Sequence, residues 1–175
     1  MTMIPTLETE RLILRAHTVA DFDRYAEMWM EPDVVRFIGG VPFSREDSWS
    51  RFLRHAGVWH HMGFGFFAIE EKETGQFVGE AGFHDLHRAM QPSVEGTLEA
   101  GWGLMSSGQG WGYATEAMTA AIAWGAAAFP ERRMTCIIDP DNLPSLRVAG
   151  RLGFVEMVRT SYHDKPIVMF ERQPQ

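Results

Sequence analysis

Between residues 21 and 61 the apolar positions recur every three to four residues, the spacing of one helical face. Phe22, Tyr25, Ala26 and Trp29 fall together and predict a helix from Asp21 to Met30, closed by Glu31-Pro32. Ser44, followed by Glu46 and Asp47, has the chemistry of a helix start, with the serine as N-cap and acids in the first turn. That second helix should run to about His61 and bury Trp49, Phe52, Leu53 and Trp59. Elsewhere the pattern shortens. Residues 9 to 16 read as a strand, and Phe64 to Glu70 with Phe77 to His84 as a hairpin about Glu73-Thr74-Gly75. Residues 85 to 96 predict a loop and Leu98 to Met105 a strand. Ala114 to Phe129 is an alanine-rich buried helix, and Arg133 to Ile138 a strand. Ser145 to Leu152 is a short helix stopped by Gly153, and Phe154 to Tyr162 with Pro166 to Arg172 a closing hairpin. Strands and helices do not alternate regularly, so a doubly wound parallel sheet is not forced.

The densest signal lies before the alanine-rich helix. Ser107-Gly108-Gln109-Gly110-Trp111-Gly112-Tyr113-Ala114-Thr115-Glu116 carries glycine at every second position from 108 to 112. Glycines let a backbone approach a ligand closely, and a helix start adds unpaired N–H groups and partial positive charge. Together these suit a phosphate or pyrophosphate, although the glycines alone also fit a plain turn into a helix. A P-loop is excluded, because Tyr113-Ala114 follows Gly112 where Lys and Ser or Thr are needed. The dinucleotide fingerprint fails too, since its third small residue would fall on Tyr113 or Thr115.

Composition narrows the class. The 175 residues fit one domain, 1–175, with 45% hydrophobic and 22% charged residues. No apolar stretch is long enough to span a membrane, and Met1-Thr2-Met3-Ile4-Pro5 lacks a secretory pattern. A single cysteine fits a reducing compartment, so a cytoplasmic location is expected. A net charge of −7 argues against nucleic acid and favours cationic over anionic small substrates.

Gln109-x-x-Gly112-x-Ala114 resembles the Q/R-x-x-G-x-G/A signature of the GNAT N-acetyltransferases. Three more blocks are similar to the branch that includes the ribosomal-protein N-acetyltransferases. They are Thr9-Glu10-Arg11-Leu12-Ile13-Leu14-Arg15, Thr74-Gly75-Gln76-Phe77-Val78-Gly79, and Asp139-Pro140-Asp141-Asn142-Leu143-Pro144-Ser145 with Gly150-Arg151-Leu152-Gly153-Phe154. The resemblance spans about residues 7 to 160. It implies an α/β (α+β) fold, a mixed sheet splayed between residues 98–105 and 133–138, with helices on both faces. It also implies acetyl-CoA as co-substrate, an amine as acceptor, no metal, and a monomer or homodimer.

Site residues follow from the same resemblance. The pyrophosphate would lie against Gln109, Gly110, Trp111, Gly112, Tyr113, Ala114 and Thr115. Trp111 would cover the adenine or, on a second reading, pack in the core or on the surface. Relatives often carry a cation in this loop; here Arg147 or Arg151 would replace it. The backbone from Trp102 to Met105, including Leu104 and Met105, would hold the thioester carbonyl and pantetheine. Glu99 is the first candidate for the base, with burial expected to raise its pKa. Glu95, Glu80 and His84 are alternatives, and a salt-bridged structural glutamate remains open. Ser145, three residues after Asn142, would protonate the departing thiolate, unless it serves only as a helix cap. Asn142 would bind pantetheine or shape its loop. Cys136 reads as a buried hydrophobe. His60-His61 and His84 with His87 lack the companions of a metal set. A non-catalytic CoA-binding module and a structural protein with a glycine-shaped turn are the competing readings.

Overall fold

The computed structural model describes residues 3–172; Met1 and Thr2, part of the stretch read for a secretory leader, lie outside them. Eight strands form one sheet: β1 (Leu7–Glu8), β2 (Leu12–Arg15), β3 (Phe66–Glu71), β4 (Gln76–His84), β5 (Leu98–Leu104), β6 (Met134–Ile138), β7 (Phe154–Tyr162) and β8 (Lys165–Arg172). Their spatial order is β1-β2-β3-β4-β5-β6-β8-β7. Every neighbouring pair is antiparallel except β5 and β6. Those two run parallel and pair only at Leu98–Met134 and Glu99–Thr135, so from Ala100 onward they part. The splay expected from the sequence is present. Among the described residues no helix is long and apolar enough to cross a membrane.

The pleat divides the core. Phe67 and Ile69 of β3 belong to one apolar cluster, with Met118, Ala121 and Ile122 of α4 (Tyr113–Ala128). Ala68 between them points to the other face, where Tyr25, Met28 and Trp29 of α1 (Phe22–Met30) gather. α3 (Arg45–Met62) supplies Phe52 to the second cluster and Trp59 to the first. Helices therefore cover both faces, as the resemblance implies.

Local chemistry sets the helix ends. Ser44 and Asp47 form a full capping box on α3, and Gly63 closes it in the left-handed conformation. α1 stops where expected, but Pro32 opens a further short helix, α2 (Pro32–Val35), because its fixed φ suits a first helical position. Two burial expectations fail. Trp49 and Leu53 are 37% and 52% exposed, since the sheet covers only the arc of α3 that holds Phe52, His55 and Trp59. The predicted 9–16 strand is also interrupted. Thr9 to Arg11 turn between β1 and β2, fastened from outside by Glu116 of α4. Its carboxylate accepts from the Thr9 hydroxyl at 2.6 Å, the Arg11 backbone N–H at 2.9 Å and the Arg11 side chain at 2.7 Å.

Candidate active site

The parting of β5 and β6 leaves backbone groups without partners. Leu98 N–H donates toward β6, to Arg133, whereas Met105 N–H donates toward β4, to Val78. Alternation along the strand then turns the N–H groups of Ala100, Trp102 and Leu104 toward the gap. Met105 is a correction to the sequence reading. Its N–H is engaged by Val78, its carbonyl accepts from Gly108, and its side chain is buried in the α1 cluster. Trp102 and Leu104 keep the geometry that Met105 lacks.

One cleft lies beside the gap, between the start of α4 and α5 (Leu143–Arg151). Gly110 and Gly112 both have φ near +80°, a region that costs any other residue strain. Gly112 is the N-cap of α4 and has no side chain to give, so the first-turn N–H groups of Tyr113, Ala114 and Thr115 stay open. The Thr115 hydroxyl is buried without a hydrogen-bond partner and lines the same cleft. Arg147 and Arg151 line it from α5, and neither makes a salt bridge among the described residues. This donor set fits a pyrophosphate.

Three loop residues differ from expectation. The Gln109 side chain turns back and donates to the Leu104 carbonyl at 3.1 Å, tying the loop to the end of β5. Tyr113 packs its ring into the core beneath Arg11 and donates its hydroxyl to Glu71. Only the Tyr113 backbone remains for a ligand. Trp111 is 64% exposed and does not line the cleft, so its side chain is neither a core residue nor part of the cleft wall.

A cavity of about 430 Å³ lies on the other side of the gap. Both spaces are lined by Trp102 and Gly103 of β5 and by Asn142 and Ser145 at the start of α5, so they meet there. Asn142 is the N-cap: its Oδ1 accepts from the Ser145 N–H at 3.2 Å. The serine is therefore the capped residue and not the cap.

Glu99 lines the cavity at 2% exposure. Arg88 brings Nε within 2.9 Å of both its oxygens, and His84 Nε2 lies 3.0 Å from Oε1. Burial alone would push this carboxyl up, but His84 and Arg88 outweigh it and hold the group below the usual carboxylate range. The expected rise is thus reversed. A carboxylate accepts only, so His84 Nε2 carries the proton of that bond and Nδ1 is left as the basic nitrogen of the neutral ring. Glu95 is elsewhere, exposed in the loop beside His87 at 3.3 Å.

Glu80 sits deeper, 1% exposed, with His55 Nε2 at 2.9 Å, His17 Nε2 at 3.3 Å and Arg51 at 3.8 Å. Burial opposes its charge, but His55, His17 and Arg51 prevail and keep it ionised well below the ordinary range. His17 is moved down mainly by burial. The two imidazoles lie parallel, 2° apart with centroids 4.3 Å apart, and both turn Nε2 toward the same Glu80 oxygen, so the three side chains bring potential ligand atoms within 4.8 Å of one another. This trio escaped the sequence reading because it joins three separate elements. Arg51, Arg54 and Arg88 of the cavity wall were missed as well. The signal for the first two was a pair of arginines three apart on the same helix as Phe52 and His55.

A model of the family described as acetyltransferase (GNAT) domain matches residues 11–155. The chain is 29% identical over 150 residues to an uncharacterized N-acetyltransferase, p20, of Bacillus licheniformis, covering 85% of this chain and 82% of that one. A structure described as a GnaT-family acetyltransferase of Bordetella pertussis is 31% identical, with a TM-score of 0.86 over 97% of this chain and 99% of that one. The ribosomal L7/L12 alpha-N-protein acetyltransferase RimL, solved in complex with coenzyme A, shares the fold at 18% identity, with a TM-score of 0.76 over 96% and 97% of the two chains.

Proposed function

Because this chain belongs to the GNAT acetyltransferase family, we propose that it works as a single domain, residues 1–175, that moves an acetyl group from acetyl-CoA to a primary amine by direct attack on the thioester. Acetyl-CoA supplies the activated acetyl group. Its pyrophosphate would rest on the open N–H groups of Tyr113, Ala114 and Thr115, with the Thr115 hydroxyl, Arg147 and Arg151 around it. The RimL complex with coenzyme A supports CoA as the ligand of this fold.

The observation that carries the reading is the meeting of the two spaces at Trp102 and Gly103, opposite Ser145. A thioester carbonyl at the gap would accept from the N–H of Trp102 or Leu104, which stabilises the oxyanion formed on attack. Pantetheine amides would pair with the same open strand edge. The amine enters from the cavity side. His84 takes its proton at Nδ1, while Glu99, already ionised and clamped by Arg88, holds the ring in place through Nε2. Glu99 is then a positioning residue, and the base role first given to it passes to its partner. The amine nitrogen bonds to the acetyl carbon, the carbon–sulfur bond breaks, and Ser145 donates its hydroxyl proton to the sulfur. Solvent returns a proton to the serine.

Thiol release during incubation with acetyl-CoA and a panel of primary amines tests this directly. Amine-dependent release, with the acetylated amine found by mass spectrometry, is the expected result. CoA binding without transfer to any amine would leave the non-catalytic module as the better reading.

A further inference from the structure

Pairing the charges around the cavity singles out one residue. Arg88 is neutralised by Glu99 and Arg51 stands beside Glu80, whereas Arg54, on the same cavity wall, has no carboxylate within salt-bridge distance among the described residues. Arg51 lies one turn before Arg54 on α3 and is occupied by aromatic rings, 4.1 Å from Trp29 and 5.7 Å from Phe43. Its buried Nε has no hydrogen-bond partner, and neither Glu80 oxygen has an aligned one. The wall thus pairs two of its three arginines; Asp139 also lines the cavity and balances the formal count, but it makes no salt bridge to Arg54, whose guanidinium is left without an ionic partner among the described residues. In a protein of net charge −7, the signs balance around this cavity, and an arginine without a carboxylate partner is the feature left to meet a ligand.

We infer that the acceptor is an amine that also carries a carboxylate, bound at Arg54, with an apolar body against Phe37, Ile38 and Phe66. This rests on the cavity being the acceptor side of the proposed acetyl transfer. One free guanidinium matches one carboxylate, and two parallel N–H···O bonds fix its direction as well as its charge. A free α-amino acid with an apolar side chain has these parts and fits the volume of the cavity. An acidic side chain near the N-terminus of a peptide offers the same anion from a different source.

The test reads binding without turnover. Calorimetry with the acetylated product N-acetyl-L-phenylalanine and its carboxamide should show the acid binding at least 10-fold more tightly. Arg54→Gln should abolish that preference, and Arg54→Lys should restore part of it. Arg54 is exposed at the cavity rim, so both variants should fold, which circular dichroism checks. Equal affinity for acid and amide, or no binding of either, overturns the inference. The peptide source is examined with acetyl-Phe-Glu-amide against acetyl-Phe-Gln-amide. An Arg54-dependent preference in that pair alone would overturn the free amino acid and place the carboxylate on a peptide. The proposed reaction is judged separately, by thiol release, so either idea can fail without the other.

Discussion

Asn142 Oδ1 accepts the backbone N–H of Ser145 at 3.2 Å, and this one bond separates two roles that the sequence leaves combined. Capping belongs to the asparagine. The serine lines both cleft and cavity, and its part in the cap is its backbone N–H and not its hydroxyl.

Ser145→Ala should therefore slow turnover by about 10- to 100-fold, the loss of one hydrogen bond to a developing thiolate. The melting temperature should stay where it is. Steady-state kinetics and thermal melting on the same preparation check this, and a lower melting point with unchanged kcat would return the serine to a structural role.

Gly112→Asp places a carboxylate at the N-cap of α4, where the open N–H groups should meet phosphate. An added Cβ meets nothing closer than Arg11 Nη2 at 3.7 Å, so the fold should survive, with about 1 kcal/mol of backbone strain at φ +81°. The charge should weaken CoA binding by about 3 kcal/mol, near 100-fold in Kd. Unchanged affinity by calorimetry in a folded variant would move the pyrophosphate off this loop.

The acidic limb of the pH–rate profile distinguishes His84 from Glu99. Glu99 is held below the ordinary carboxylate range by His84 and Arg88, so if it were the base the limb would lie below that range. If His84 is the base, the limb follows the histidine and is absent from a variant without it. His84→Gln should cut kcat by about 100-fold or more and remove that limb. Glu99→Gln should cost less in kcat while shifting the limb, because it alters the ring's partner and not the proton acceptor. An acidic limb unchanged in His84→Gln would exclude the histidine.

The Glu80 cluster should make the fold acid-sensitive in two stages. His17 has a lowered pKa, so its contribution is complete above its unfolded value of 6.5 and is lost as pH falls below it. Glu80 is also lowered, so its contribution is complete above 4.5 and disappears as pH drops further. Urea unfolding at pH 8, 6 and 5 should show stability declining already between 8 and 5. Glu80→Gln should lose about 1–3 kcal/mol at pH 8, because the buried histidine N–H groups and Arg51 would lose their anionic acceptor. A loss under 1 kcal/mol would mean the cluster is solvated and not internal.

What the sequence made legible is what depends on neighbours in the chain. Ser44 with Asp47, the turn at Gly75, the glycines at 110 and 112 and the ends of β5 are local chemistry, and each falls within a residue or two of expectation. The partners of the charged groups are not local. Arg88 comes from a stretch with no period, and its bond to Glu99 reverses the direction in which burial alone would move that carboxyl. Trp49 and Leu53 fail for a related reason: helical spacing tells which residues share a face, but not how much of that face the sheet will cover.

The two-residue seam between β5 and β6 has a consequence for self-association. Unpaired strand edges usually invite other chains to add on, and proteins shield them with charge, bulges or closure. Here the vacant N–H groups of Trp102 and Leu104 lie inside the sheet, flanked by β6 on one side and held by β4 on the other. A foreign strand would have to displace β6 to pair with them, whereas the thin amide chain proposed above would need only the vacant donors. An edge enclosed within the sheet in this way offers less to another copy of the chain than an outer strand would.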